Sequence, residues 1–301
     1  MPPDELAPWD DLSNWGRWGE DDERGAANHV TQDLTVAATG LVQTGRVYPL
    51  ALPIDRRTTP LEAIRNPPLH LMSRDGGDYA AGFSGRVGFS FADDYLIMSC
   101  HSGTHVDALA HVWYDERLYN GFHQNEITSA GARRCGIDKL GPILTRGVLL
   151  DACGHAGVEY LEPGVALDGD ALQELAAAHG IEVRRGDAVL LRTGWRGLAA
   201  AGRTEEGAAG PSIESVRWFA EHEVALVGSD SSFLEPRPSG LGEGMRMPVH
   251  MKLLRDLGVP IAELLDLDAL AADGVHEFLF VLSPLTIAGG VGSPCTPLAV
   301  V

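Results

Sequence analysis

Short apolar runs bounded by glycine or charge recur along the chain, and each has the length of a strand. Gly147-Val148-Leu149-Leu150-Asp151, Asp187-Ala188-Val189-Leu190-Leu191-Arg192 and Val224-Ala225-Leu226-Val227-Gly228 lack polar alternation, so they predict strands buried on both faces. Tyr95-Leu96-Ile97-Met98-Ser99-Cys100 predicts a further buried strand. Between such runs the period changes. From Asp168 to His179, Asp168 or Asp170 can cap, Leu172, Leu175 and Ala176 form a stripe and Gly180 supplies a stop, which predicts a helix. Ser212–His222 and Met251–Leu257 predict two more. The stretches 62–85, with Pro67-Pro68 and Gly76-Gly77, and 197–210 predict loops. Neither divides the composition and no repeat is present, so 1–301 reads as one domain of mixed α/β class.

The apolar run at 95–100 leads into His101-Ser102-Gly103-Thr104-His105-Val106-Asp107-Ala108-Leu109-Ala110-His111, three imidazoles and a carboxylate in a chain with 11 His. Two imidazoles and a carboxylate suit a borderline divalent cation such as Zn, Mn or Fe(II), and they leave positions free for water or substrate. His105 and Asp107 point to one side of an extended segment, and Gly103 lets the backbone bend so that His101 reaches the same ion. A helical turn would put Asp107 and His111 on one face, with His111 as a base beside the metal or a further ligand. The competing structural reading is a set of core or capping histidines satisfied by hydrogen bonds. Two other chemistries fit the spacing. His105 and Asp107 with a distant His would make the facial triad of a non-haem Fe(II) oxygenase, and a set closed by four protein ligands would make a non-catalytic metal-binding protein. Cys100 adjoins His101 but reads as a small buried thiol at a strand end. Thr104 reads as a loop-fixing hydroxyl. Asp230, in Gly228-Ser229-Asp230-Ser231, reads as either a functional group at a strand end or a turn cap.

The eleven-residue segment resembles the HxGTHxDxxxH motif of the cyclase family of metal-dependent hydrolases, which includes bacterial kynurenine formamidases and isatin hydrolases. Val112-Trp113-Tyr114-Asp115, Tyr119-Asn120-Gly121, the Trp15–Gly25 stretch and Gly289-Gly290-Val291-Gly292-Ser293-Pro294 resemble further signatures of its longer members, so the likeness covers nearly the whole chain. It implies a swivelling β/β/α fold built on a mixed sheet. It also implies that His101, His105 and Asp107 bind one metal, with His111 beside it as the catalytic histidine. In two-metal members Asp107 would bridge to a second ion held by a later His and Glu, for which His250 and Glu263 are the candidates here. The expected cofactor is one divalent ion, Zn or Mn, two at most. Trp18, with Trp15, is expected to close over an aromatic substrate or to pack in the core. Tyr114 and Asn120 are expected to reach the pocket or to serve packing and a turn. The implied activity is hydrolysis of an amide or cyclic amide, with lactones and esters also open, and the implied assembly is a homodimer or homotetramer.

Charge and cysteines narrow the setting. With 42 acidic against 23 basic residues the formal charge is −19, which repels phosphate backbones and anionic membranes, so neither nucleic acid nor membrane is an expected partner. A small-molecule substrate is. Cys100, Cys135, Cys153 and Cys295 are widely spaced and form no CxxC pair, which points to reduced thiols and a cytoplasmic protein. Met1-Pro2-Pro3-Asp4-Glu5-Leu6 is acidic and has no apolar core of the kind a secretory signal needs.

Overall fold

Apolar runs without alternation become neighbours in one nine-stranded sheet. The structure, a computed structural model, describes residues 9, 11–57, 59, 65–82, 89–241 and 246–301. The opening segment read for a leader lies outside these residues. In chain order the strands are Val47–Pro49 (β1), Leu69–Arg74 (β2), Asp93–Ile97 (β3), His105–Asp107 (β4), Ile127–Thr128 (β5), Gly131–Ala132 (β6) and Ile143–Asp151 (β7). They continue with Ala166–Leu167 (β8), Ala188–Arg192 (β9), Gly210–Pro211 (β10), Leu226–Ser229 (β11), Ile261–Glu263 (β12), Glu277–Leu282 (β13), Gly292–Pro294 (β14) and Leu298–Val300 (β15). The large sheet has the order β1-β15-β13-β7-β9-β11-β12-β4-β14. Its centre, β7-β9-β11-β12, is parallel, and both flanks are antiparallel.

The parallel centre is covered on both sides, which is why its strands need no polar face. Val148, Leu150, Val189 and Leu191 pack with Leu172 and Leu175 of helix Gly169–Ala178 and with Val216 and Phe219 of helix Ser215–Glu221. Leu149, Ala188, Leu190 and Leu226 point the other way, in a cluster with Phe278 and Phe280 of β13 that is covered by Ile137 and Leu140 of the helix Ile137–Leu140 and by Leu270 of the helix Asp268–Ala272. Each such Leu or Val stabilises the fold by about 1.5–3 kcal/mol relative to exposure. Asp168 caps the 169–178 helix as expected, its Oδ1 accepting from the Ala171 N–H at 2.9 Å. The 251–257 segment is also helical, continuing from Pro248–His250 as a wider, π-type turn.

Four expectations are corrected. The 95–100 run is not a buried strand: β3 ends at Ile97, all five of its residues are exposed, and it pairs with β2 in a two-stranded ribbon outside the large sheet. A short apolar run has a strand's composition whichever partner it finds. The 62–85 stretch, of which 62–64 and 83–85 lie outside the described residues, contains β2 and the helix Gly76–Ala80. There Asp75 accepts from the Gly77 N–H and Asp78 accepts from the Asp75 N–H, so the double glycine opens a capped helix where a turn was expected. Likewise the 197–210 stretch starts inside the helix Trp195–Ala200 and holds a 3₁₀ turn at Thr204–Glu206. Finally, 107–111 is not helical. Asp107 ends β4, whose ladder bonds on both sides prevail, and the chain then turns through a bond from the His111 N–H to the Ala108 carbonyl at 2.9 Å. Among the described residues no helix is long and apolar enough to cross a membrane.

Candidate active site

Strand β4 carries the site because it lies between β12 and β14. The register sets His105 opposite Glu263 on one side, and Asp107 opposite Gly292 on the other. A residue 158 positions away in sequence thus becomes the direct cross-strand neighbour of His105. The pairing fixes Glu263 at the end of strand β12. Thr104 bonds backbone, as expected: its hydroxyl donates to the Leu264 carbonyl at 2.5 Å and accepts from the Leu52 N–H at 2.9 Å. Gly103, at φ +64°, makes the bend that turns His101 back toward the strand. Gly292 leaves the room His101 occupies, since a Cβ there would lie 2.5 Å from the His101 Nε2.

The polar atoms converge on Asp107. Its Oδ1 lies 3.5 Å from both the His101 Nε2 and the His105 Nε2, and its Oδ2 lies 3.9 Å from the His250 Nε2. Glu263 places Oε2 at 3.3 Å from the His105 Nε2 and Oε1 at 3.2 Å from the His250 Nε2. His111 stacks on His101 with centroids 3.9 Å apart. Among the described residues two sets of ligand-type atoms lie close enough to share an ion, His101–Asp107–His111 and His105–Asp107–Glu263, and Asp107 belongs to both.

Two of the imidazoles are held in a defined orientation. The His105 Nδ1 is 2.8 Å from the Gly103 carbonyl, which can only accept, so Nδ1 carries the hydrogen and Nε2 faces the centre. The His250 Nδ1 is 2.5 Å from the Glu235 Oε1 and donates in the same way. Glu235 is fully buried and also accepts from the Val249 and His250 N–H groups at 2.9 and 3.0 Å. Sequence reasoning missed this residue, because a lone Glu after Phe233-Leu234 follows no spacing rule. The His105 Nε2 and both Asp107 oxygens are buried without any hydrogen-bond partner. Buried polar atoms are nearly always satisfied, so this convergent set fits a cation.

The electrostatics agree. Burial lowers the pKa of His105, yet Asp107 and Glu263 outweigh it and push the imidazole up to about 10. Burial is likewise outweighed at His250 by Glu235 and Glu263, again to about 10. His101 follows its burial down to about 4, and His111 is also lowered by burial. Asp107 and Glu263, although buried, are held below the usual carboxylate range by the surrounding imidazoles. The buried carboxylates set up a field that favours positive charge at the centre, on an imidazole or on a cation.

The weaker candidates have other tasks. The Asn120 amide accepts from the Gly16 N–H at 2.7 Å and donates to the carbonyls of Gly19, Glu20 and Asp22, so it clamps the amino-terminal segment. Tyr114 donates to the Asp256 Oδ2 at 2.5 Å under the Arg255 guanidinium, which is the packing role that was its alternative reading. Trp18 meets His29 edge-on at 5.0 Å, and the Trp15 Nε1 donates to the Arg255 carbonyl at 2.7 Å, so both are engaged by their own chain. Asp230 is a cap, accepting from Thr193, Gly194 and Trp195. Cys100 is half-buried, beyond the end of β3.

A profile of the Cyclase family matches residues 33–236. An isatin hydrolase from Roseibium aggregatum is 27% identical over 219 residues, covering 70% of this chain and 75% of that protein. Among solved structures, one described as a novel cyclase is 40% identical with a TM-score of 0.88, covering 96% of this chain and all of its own. Isatin hydrolase A from Ralstonia solanacearum, at 23% identity, shares the fold with a TM-score of 0.63 over 90% of this chain and 97% of its own. The match covers well over half of the chain and the fold agrees along nearly its whole length, so this protein belongs to the Cyclase family.

Proposed function

We propose that the protein is a metal-dependent hydrolase that opens an amide or cyclic amide bond, such as a formamide, lactam or imide, of a small aromatic substrate. The reading is carried by one observation: the His105 Nε2 and both Asp107 oxygens are buried, convergent and unpartnered. His101, His105 and Asp107 are the residues assigned to hold the cation, with His250 and Glu263 alongside. A divalent ion bound there supplies a lowered pKa for water, from about 15.7 toward 7, and polarisation of a carbonyl. The relationship to isatin hydrolase, whose name describes hydrolysis of a cyclic amide, supports the bond class.

The chain's own groups then have separate tasks. His111, whose burial favours the neutral ring, accepts a proton from the attacking water and returns it to the leaving nitrogen. His101, stacked against it, restricts the tilt of that ring. Glu235 holds His250 in the tautomer that presents Nε2. Elemental analysis of the purified protein tests the proposal together with a hydrolysis screen on aryl formamides, lactams and lactones, with and without chelator. Near-stoichiometric Zn or Mn and chelator-sensitive cleavage of a C–N bond are expected. Turnover that requires O₂ and Fe(II), or a protein without metal, would replace this reading.

A further inference from the structure

A cleft of about 600 Å³ opens beside the segment that carries His101. Arg56, Arg65 and Asn66 line it together with the apolar side chains of Leu69, Ile97 and Met98. The Arg65 Nη1 donates to the His101 carbonyl, so a residue of the cleft wall is bonded to the backbone of a candidate metal ligand. The charges are unusual for this chain. Acids outnumber bases 42 to 23, and Arg146, Arg192, Arg203 and Arg217 all face carboxylates. Among the described residues Arg56 and Arg65 face none. Asp55, which lines an adjoining cavity together with Arg56, accepts from the Arg57 N–H at 2.8 Å. Two guanidiniums with no ion pair to a carboxylate among the described residues, an amide donor beside them and apolar walls make a receptor for a planar anion on an apolar skeleton.

We infer that Arg56 and Arg65 recognise a carboxylate on the substrate, remote from the bond that is cut, so that the protein prefers anionic amides or lactams to neutral ones. This specificity rests on the hydrolase reading above. The scissile carbonyl sits at the centre around Asp107, and the unreacting carboxylate lies in the arginine-lined cleft. A charge-assisted pair contributes about 1.5–3 kcal/mol, or about tenfold or more in affinity.

The test compares formanilide with its three carboxylated isomers, the 2-, 3- and 4-formylaminobenzoates, on the metal-replete protein and on Arg56→Gln and Arg56→Lys. At least one isomer is expected to exceed formanilide by about tenfold in kcat/KM, chiefly through KM, with the preference lost in Arg56→Gln and partly kept in Arg56→Lys. Calorimetry with benzoate gives a readout apart from turnover, and its affinity should fall about tenfold in Arg56→Gln. A benzoate affinity that Arg56→Gln leaves unchanged, or equal cleavage of all four compounds by wild type and variant, overturns the inference while the hydrolase reading stands. If no compound is cleaved but benzoate binding still depends on Arg56, aryl formamides are not the substrates of the hydrolase reading, while anion recognition by the cleft holds.

Discussion

At the residue scale the site depends on which ring nitrogen faces the centre. His105 and His250 each commit Nδ1–H to a fixed acceptor, the Gly103 carbonyl and the Glu235 carboxylate, and so present Nε2. Glu235→Gln removes a charged acceptor from a buried Nδ1–H. Partners of this kind tune ligands by about 10–100-fold in metal affinity, so a loss of that size is expected in a competition titration against a chelator. His111 has a different role, and His111→Ala should retain the metal while turnover falls about a hundredfold. Metal analysis beside steady-state kinetics separates the two effects, and an active, metal-replete His111→Ala would refute a proton-transfer role. His101, His105, Asp107 and His111 were legible in the sequence because they lie within eleven residues. His250 and Glu263 came only through family resemblance, since their place beside β4 is a matter of strand register. Glu235 and the arginine pair left no local signal, because burial and the lack of a partner are properties of the fold.

Among the elements, β4 matters most, and its neighbours decide its geometry. Gly292 of β14 faces Asp107 and gives way to the His101 ring, so Gly292→Ala should displace that ring. The expected result is a loss of about 1–3 kcal/mol in stability with weakened metal retention, read by thermal unfolding and elemental analysis. The amino-terminal turn Gly25–His29 carries another testable group. His29 is held down to about 4 by burial and by Arg17, and its Nδ1 accepts from the Arg185 Nε at 3.2 Å. Its folded pKa is below the unfolded value of about 6.5, so the unfolded chain takes up the proton first. Its stabilising effect is therefore complete above about 6.5 and is lost as pH falls toward 4. Thermal unfolding between pH 7 and 4 should show a smaller loss in His29→Gln than in the wild type. The parallel strands were legible because a strand covered on both faces needs an unbroken apolar run. The β2–β3 ribbon and the turn at 107–111 were not, since composition does not say which neighbour a short strand will find.

For the whole molecule, the charge of −19 and the anionic centre have different consequences. The exterior carries charge in water at little cost, while Asp107, Glu235 and Glu263 carry it where each unpaired group is expensive. The ribbon also matters at this scale: Leu71, Met72, Tyr95, Leu96 and Ile97 are all exposed, and a lone two-stranded ribbon is marginal in water. Light scattering should accordingly give at least twice the 32.1 kDa of one chain, as the expected homodimer or homotetramer requires. The most direct measurement is anomalous diffraction from crystals of the purified protein at the Zn and Mn edges. The account predicts a peak within about 2–2.3 Å of ligand atoms from His101, His105 and Asp107, with His111 next to it. An ion bound elsewhere, or these side chains saturated by bonds to one another with no peak among them, would contradict it.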